Sequence, residues 1–172
     1  MRILSVTAQK PHSTGSGVYL TETVSAFEAL GHENAVVAGV CADDALFFPE
    51  GVRVYPVYYQ SDALPFPVCG MSDEMPYEST VYGRMTEEMV GRFERAFTAV
   101  IEKALAEFEP ELIFCHHLYL LTALVRRICP ETPVWGMCHG SDLRQLYTNA
   151  LRRERVIAAI VELDKICCLH EA

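Results

Sequence analysis

The stretch PVWGMCHGSDL, residues 133–143, joins a short apolar run to a polar turn and the start of a helix. Residues 133–138 are predicted to form a buried strand, while Ser141 and Asp142 are residue types that cap helices. A strand that continues through a polar turn into a helix is the repeating unit of a parallel sheet. This unit predicts how the rest of the chain is organised.

Further apolar runs and helical patterns alternate on both sides of that stretch. The additional strands are predicted at residues 2–7, 34–40, 52–57, 111–116 and 164–169. Helical spacing predicts a helix that ends at Gly31, a long helix over residues 85–108, a helix over residues 120–129, and one broken or two short helices over residues 143–163.

The alternation predicts an α/β fold, a Rossmann-like three-layer domain with a parallel sheet of about six strands or more and helices on both faces. The 172 residues fit a single domain, 1–172. Residues 58–83 break the pattern, because they are rich in proline, have no helical period and contain several aromatic residues that look exposed. We expect this irregular insertion to be either functional or an ordinary mobile loop.

Composition limits the class of protein. The chain has 14 Lys and Arg against 23 Asp and Glu, a net charge of −9 without any basic run, so no nucleic-acid partner is expected. The longest uncharged apolar run, residues 112–125, is shorter than the ~20 residues of a transmembrane span. The start, MRILSVTAQK, lacks the cleavage site of a secretory signal, and the seven cysteines lie mostly in apolar runs. A cytoplasmic protein with reduced, buried thiols is therefore expected.

The loop after the first strand contains Gly15, Ser16 and Gly17 at the start of a helix. Glycines at this position let backbone N–H groups approach a phosphate, and the helix dipole favours the negative charge. A dinucleotide fingerprint is incomplete, because Leu20 occupies the third glycine position, and no Walker-type Gly-Lys-Ser/Thr follows Gly15. The alternative is that the two glycines only allow a tight turn and close helix packing.

Histidines follow two neighbouring predicted strands. His116 and His117 end one strand, and His139 follows the next, before Gly140. Parallel neighbours bring these ends together, so a site is predicted there. Because consecutive strand residues face opposite sides, one of His116 and His117 is expected to be structural. A zinc site is disfavoured, since the paired ligand spacing of zinc sites is absent.

Four landmarks in order resemble a known family. They are ALGHE at residues 29–33, PELIFCHH at residues 110–117, PVWGMCHGSDL at residues 133–143, and LDKICCLHE at residues 163–171. Together with the glycine-containing first loop, this pattern is similar to the amino-terminal domain of the family 4 retaining glycosyltransferases, which have the GT-B fold of two Rossmann-like domains. Many members have two adjacent glycines in the first loop, where this chain has Gly15-Ser16-Gly17.

The resemblance implies the roles of individual residues. His139 would be the catalytic residue, lying next to the transferred sugar. The substrate-binding residues would be Gly15, Ser16 and Gly17 near the donor diphosphate, His116 and His117 on the acceptor side, and Gly140, Ser141 and Asp142 in the turn.

The resemblance also implies that two domains bind different substrates. The chain would contribute the acceptor pocket, and a carboxyl-terminal domain absent from this chain would hold the nucleotide sugar, so the isolated domain is expected to be inactive. No cofactor or metal is expected, since the nucleotide sugar is a substrate. Covering the exposed interdomain face by forming a homodimer is a further expectation. Two alternatives stay open, a non-catalytic Rossmann-like module that binds carbohydrate or an anion, and half of a sugar-nucleotide epimerase.

Overall fold

The computed structural model describes residues 1–169. His170 and Glu171, which belong to the last family-like landmark, lie outside the described residues. The elements in chain order are β1 (Arg2–Thr7), α1 (Gly15–Ala29), β2 (Glu33–Val40), β3 (Arg53–Tyr58), β4 (Cys69–Gly70), β5 (Thr80–Val81), a 3-10 helix (Tyr82–Arg84), α2 (Glu87–Phe108), β6 (Leu112–His116), α3 (Leu120–Ile128), β7 (Val134–Cys138), α4 (Ser141–Thr148), α5 (Arg153–Ile160) and β8 (Lys165–Cys168).

Six of the described strands form one parallel sheet in the order β3-β2-β1-β6-β7-β8. Helix α1 packs on one face, where Leu20 and Val24 contact Val36 of β2. On the other face, α2 packs against β2 and β3, α3 packs against β6 and β7, and α5 packs against α3. Their buried side chains share one core with Leu4 of β1. The predicted Rossmann-like α/β fold, with helices on both faces of a parallel sheet, is confirmed.

The chain leaves β1 toward β2 and leaves β6 toward β7, so the strand order reverses between β1 and β6. In open α/β sheets, a crevice forms outside the carboxyl ends of the strands at such a reversal, and ligands bind there. The fold therefore fixes where a site is to be sought before any side chain is considered.

The bounds of the predicted elements agree with the observed ones to within three residues. The long helix begins at Glu87 instead of residue 85, because Thr86 caps it by accepting a hydrogen bond from the Met89 amide. The region 143–163 contains the two short helices α4 and α5.

The segment 58–83 differs from its prediction. It carries the two-stranded parallel pair β4-β5, and the rings of Tyr59, Phe66 and Tyr82 are buried although they were expected to be exposed. Tyr59 contacts both Phe66 and Phe97 of α2, with ring centroids 5.9 and 6.2 Å apart. The segment packs as part of the core, which the aperiodic spacing of its aromatic residues did not reveal.

The cysteines are buried where the sheet or core surrounds them. Cys41, Cys69, Cys115 and Cys129 are buried free thiols, as predicted. Cys168 is exposed, contrary to the prediction, because β8 is the edge strand of the sheet. Among residues 1–169, no helix combines the length and the apolar character that crossing a bilayer would require.

Candidate functional site

An open cleft of about 480 Å³ lies at the carboxyl ends of the central strands, at the reversal of strand order. The start of α1 and the turn after β7 contribute to its walls, and residues 71–76 of the segment 58–83 form another wall. The residues that line it are Gln9, Thr14, Gly15, Ser16, Tyr19, Met71, Ser72, Glu74, Met75, Pro76, His117, His139, Ser141 and Leu169.

The two glycines of the first loop have different surroundings. Gly15 lines the cleft, and a Cβ atom added there would meet no atom within 4 Å. A Cβ atom on Gly17 would lie 2.8 Å from the carbonyl oxygen of Lys10 and 3.0 Å from the His12 amide nitrogen. Gly17 is therefore a packing residue, whereas Gly15 and Ser16 face the space where a ligand would bind.

The three predicted histidines form one cluster. The His116 and His139 rings stack with centroids 5.8 Å apart, and those of His117 and His139 are 4.6 Å apart. His117 follows the end of β6 with a left-handed backbone, φ 73°, so the alternation of a strand no longer applies to it. Of the pair, one member of which was expected to be structural, only His117 lines the cleft. His116 itself lines a smaller cavity behind the cleft.

Asp142 holds this cluster together from the first turn of α4. Its fully buried carboxylate accepts hydrogen bonds from His117 Nδ1, at 2.6 Å, and from the backbone N–H of His139, at 2.8 Å. Burial raises the pKa of this carboxyl, but the hydrogen bonds from His117 and His139 outweigh burial, and the net pKa is lowered. Asp142 is therefore ionised at neutral pH, and the ring that it orients is that of His117.

His139 is half-buried and lies at the edge of the Tyr19 ring, with centroids 5.3 Å apart. Burial, reinforced by the neighbouring His117, lowers the pKa of His139 to about 4. The imidazole is therefore neutral at pH 7. His139 lines the cleft, while its Nε2 is buried and has no hydrogen-bond partner within residues 1–169.

The turn after β7 differs in detail from its prediction. Gly140, not Ser141 or Asp142, is the N-cap residue of α4, and it makes no side-chain capping bond. Its φ of 81° lies in the region that favours glycine. Gly140 is exposed and does not line the cleft, whereas Ser141 does. Gly140 therefore serves to aim the flanking His139 and Ser141.

Several lining residues were missed by sequence reasoning. Gln9 lies two residues after the end of β1. Tyr19 lies one helical turn after Ser16, so a helical projection of α1 would have found it. The wall at residues 71–76 had no local signal. It is held by α4, because the Gln145 side chain donates to the carbonyl of Met71 at 3.0 Å and Arg144 donates to the Ser72 hydroxyl at 3.1 Å.

Partial charges dominate the electrostatics of the cleft. Gly15 and Ser16 start α1 and Ser141 starts α4, so two positive helix ends reach this space. The lining side chains include Glu74 but no Lys or Arg. In the part of the chain that is described, no three His, Cys, Asp or Glu side chains are arranged to hold a metal ion. The cleft thus suits a ligand that binds through hydrogen bonds.

No protein-family model and no curated protein matches the chain by sequence. Solved structures match by shape. Sucrose-phosphate synthase from Thermosynechococcus elongatus matches with a TM-score of 0.64 at 14% identity, over 96% of this chain and 41% of that one. The N-terminal domain of trehalose-6-phosphate phosphatase from Candida albicans matches with a TM-score of 0.59 at 15% identity, over 96% of this chain and 39% of that one. The chain spans about two fifths of both, and at these identities the likeness shows the fold alone.

Proposed function

We propose that the chain is the acceptor-side half of a glycosyltransferase, which transfers a sugar from a nucleotide-sugar donor to an acceptor with retention. The observation that carries the proposal is that the start of α1, at Gly15 and Ser16, and the turn with His139 and Ser141 line the same cleft. The fold likeness to sucrose-phosphate synthase, over 41% of its length, agrees with a half enzyme. The proposal therefore includes a second domain that binds the donor.

In the proposed reaction, the bond between the anomeric carbon and the donor diphosphate breaks, and a bond to the acceptor oxygen forms on the same face. The proton of the acceptor hydroxyl leaves with the diphosphate. An oxocarbenium-like centre develops while negative charge collects on the leaving group, so stabilising that charge supplies most of the catalysis. Alignment of donor and acceptor in the cleft supplies the rest. The proposed reaction needs no resident metal.

His139 is assigned to the transferred sugar. Because its imidazole is neutral at pH 7 and its side chain lines the cleft, His139 can contact a sugar without adding a charge. The amide of His139 is held at 2.8 Å from Asp142, which fixes the backbone that carries the ring.

The start of α1 is assigned to the donor diphosphate. The first amides of a helix have no acceptor within the helix, and its positive end favours an anion. The first turn of α1 contains no acidic residue that would oppose this. Gly15 leaves room for the phosphate, since its added Cβ would meet no atom within 4 Å.

The test uses the intact natural protein, assayed with a panel of nucleotide sugars and candidate acceptors, with products identified by mass spectrometry and anomeric configuration by NMR. We expect a product with the donor's anomeric configuration. His139→Ala should reduce transfer by at least about tenfold, while the melting temperature stays nearly unchanged because the ring is half-buried.

His32→Ala is the matched control, since His32 lies just before β2, at the amino ends of the strands and opposite the cleft. Normal turnover in His139→Ala would remove His139 from the proposal. Interconversion of the free nucleotide sugar without an acceptor would indicate an epimerase, and carbohydrate or anion binding without any product would indicate a binding module.

A further inference from the structure

A small cavity of about 10 Å³ lies behind the cleft. This volume is enough for one water molecule or one hydroxyl group and too small for a phosphate. Gln9, Met71 and His117 line both the cleft and this cavity, so they form the boundary between the two spaces. His116 lies on the inner side and lines only the cavity.

Three of the residues that line the cavity contribute polar atoms whose hydrogen bonding is incomplete. Gln9 Nε2, His117 Nε2 and both ring nitrogens of His116 have no hydrogen-bond partner within residues 1–169. The side chains are at least nine-tenths buried, with exposures of 2%, 6% and 2% for Gln9, His117 and His116. Burying such groups costs free energy unless a partner is supplied, so the cavity is built to receive a polar atom.

Existing hydrogen bonds leave one side-chain nitrogen of Gln9 and one of His117 without a partner within residues 1–169. Gln9 Oε1 accepts a hydrogen bond from the Ser16 hydroxyl at 3.3 Å, which leaves the Nε2 donor for the cavity. His117 Nδ1 lies 2.6 Å from the Asp142 carboxylate, and in the neutral form of His117 donation from Nδ1 leaves the lone pair on Nε2. Two residues that line the same small space therefore offer a donor, Gln9 Nε2, and, in the neutral form of His117, an acceptor.

We propose that this cavity binds one neutral hydroxyl group of the sugar acceptor, which accepts a hydrogen bond from Gln9 Nε2 and donates one to His117 Nε2. The inference rests on the proposed function, and it assigns the acceptor to the class of neutral polyhydroxylated molecules at the position that enters the cavity. Gln9 and His117 are then specificity-determining residues.

Other chemical groups do not fit this pair. A carboxylate or phosphate oxygen would accept from Gln9 but would face the lone pair of His117, and no Lys or Arg lines the cavity to compensate the charge. An ammonium group would donate to His117 but could accept nothing from Gln9. A hydroxyl group is both a donor and an acceptor, so it satisfies both atoms.

The test is a set of crystals of the protein soaked in ethylene glycol, acetate or methylammonium at equal concentration. We expect an ethylene glycol oxygen within hydrogen-bond distance of Gln9 Nε2 and His117 Nε2, replacing the water present in unsoaked crystals. Acetate or methylammonium in the cavity at similar occupancy would overturn the assignment. A water molecule that ethylene glycol does not displace, or a direct bond between Gln9 and His117, would also overturn it.

Variants test the same contact in solution, with the 15N chemical shift of His117 Nε2 as the readout of an ethylene glycol titration. Gln9→Met removes the donor at similar volume, and we expect the affinity to fall about fivefold to tenfold, the effect of one hydrogen bond. Gln9→Glu presents two acceptors to a hydroxyl with one proton, and a similar or larger loss is expected. Gln60→Met is the control, since Gln60 is exposed and lines neither space. An unchanged affinity in Gln9→Met would overturn the proposal.

Neither readout requires sugar transfer. A protein that admits the alcohol but transfers no sugar would contradict the proposed function and leave the hydroxyl site intact. A protein that transfers sugar while its cavity excludes ethylene glycol would contradict the hydroxyl site and leave the proposed function intact.

Discussion

Helices α1 and α2 begin in the same way and differ in the charge of the turn after the cap. In both, a threonine side chain accepts a hydrogen bond from the amide three residues later, Thr14 from Gly17 at 3.1 Å and Thr86 from Met89 at 3.2 Å. The first turn of α2 contains Glu87 and Glu88, whereas the first turn of α1 contains no acidic residue.

The difference separates a structural helix end from one that is open to a ligand. The glutamates of α2 offset its positive end, which stabilises the helix. The corresponding end of α1 lines the cleft, so its positive end remains available to a ligand. Equal capping with unequal charge therefore agrees with the proposed role of α1 in binding a ligand.

The largest expected effect extends the comparison to α4, whose first turn also contains an acid, Asp142. Asp142→Ala leaves His117 Nδ1 and the His139 amide without their acceptor, so the free energy of unfolding should fall by about 2–5 kcal/mol. Glu88→Gln, at an exposed site of α2, should cost less than about 1 kcal/mol. Urea denaturation measures the free energy of unfolding of both variants. Equal losses would show that Asp142 stabilises the protein only through its interaction with the dipole of α4.

The next effect concerns the glycines of the two helices. Gly17→Ala places a Cβ atom 2.8 Å from the Lys10 carbonyl oxygen, and we expect a loss of about 1–3 kcal/mol. Gly91→Ala in α2 meets only the end of the Arg95 side chain at 3.3 Å, so it should gain up to about 1 kcal/mol of helix propensity. Thermal denaturation of the two variants tests this difference. If Gly17→Ala were stabilised as Gly91→Ala is, the packing role of Gly17 would be refuted.

The caps should be equivalent for stability and unequal for function. Thr14→Ala and Thr86→Ala each remove one capping bond, and each should lower the free energy of unfolding by about 1 kcal/mol. Only Thr14 lines the cleft, so only Thr14→Ala should also weaken donor binding in the intact protein. Calorimetric titration with the donor distinguishes them, and an equal loss of affinity in both would remove the functional distinction between the two helix ends.

The smallest effect gives α1 the charge that α2 already has. Gly15→Glu should stabilise the fold by about 0.3–1 kcal/mol through the helix dipole, since its Cβ atom meets no neighbour within 4 Å. The same carboxylate should weaken donor binding by repelling the diphosphate. The stability gain should shrink at about 1 M salt, and tighter donor binding in this variant would contradict the assignment of α1.

Most of the fold could be predicted because its signals are local. The apolar stripe of α2 and the short apolar strands are visible in the sequence itself, and the six-stranded parallel sheet follows from their alternation. Burial of Tyr59 and Tyr82 could not be predicted in this way, because it depends on the packing of the segment 58–83 against distant elements.

The candidate site could be predicted in part. Parallel neighbours explain why His116 and His139 meet, whereas the contact of His117 depends on a single left-handed residue, a conformation that is uncommon outside glycine. The wall at residues 71–76 is placed by hydrogen bonds from Arg144 and Gln145, more than 70 positions later in the sequence. Contacts over such separations leave no periodic signal in a single sequence.

The pairing of β1 with β6 determines when the cleft can form during folding. The backbone amide of Arg2 reaches the carboxylate of Glu111, 109 positions away, and Leu4 pairs with Ile113. Closing so long a loop is entropically slow, whereas β1, α1 and β2 can assemble from neighbouring segments. During synthesis, the first half of the sheet must wait for β6 to leave the ribosome. Ligand affinity would then report completed folding, because a half-folded chain would possess α1 and lack the strand that carries the histidines.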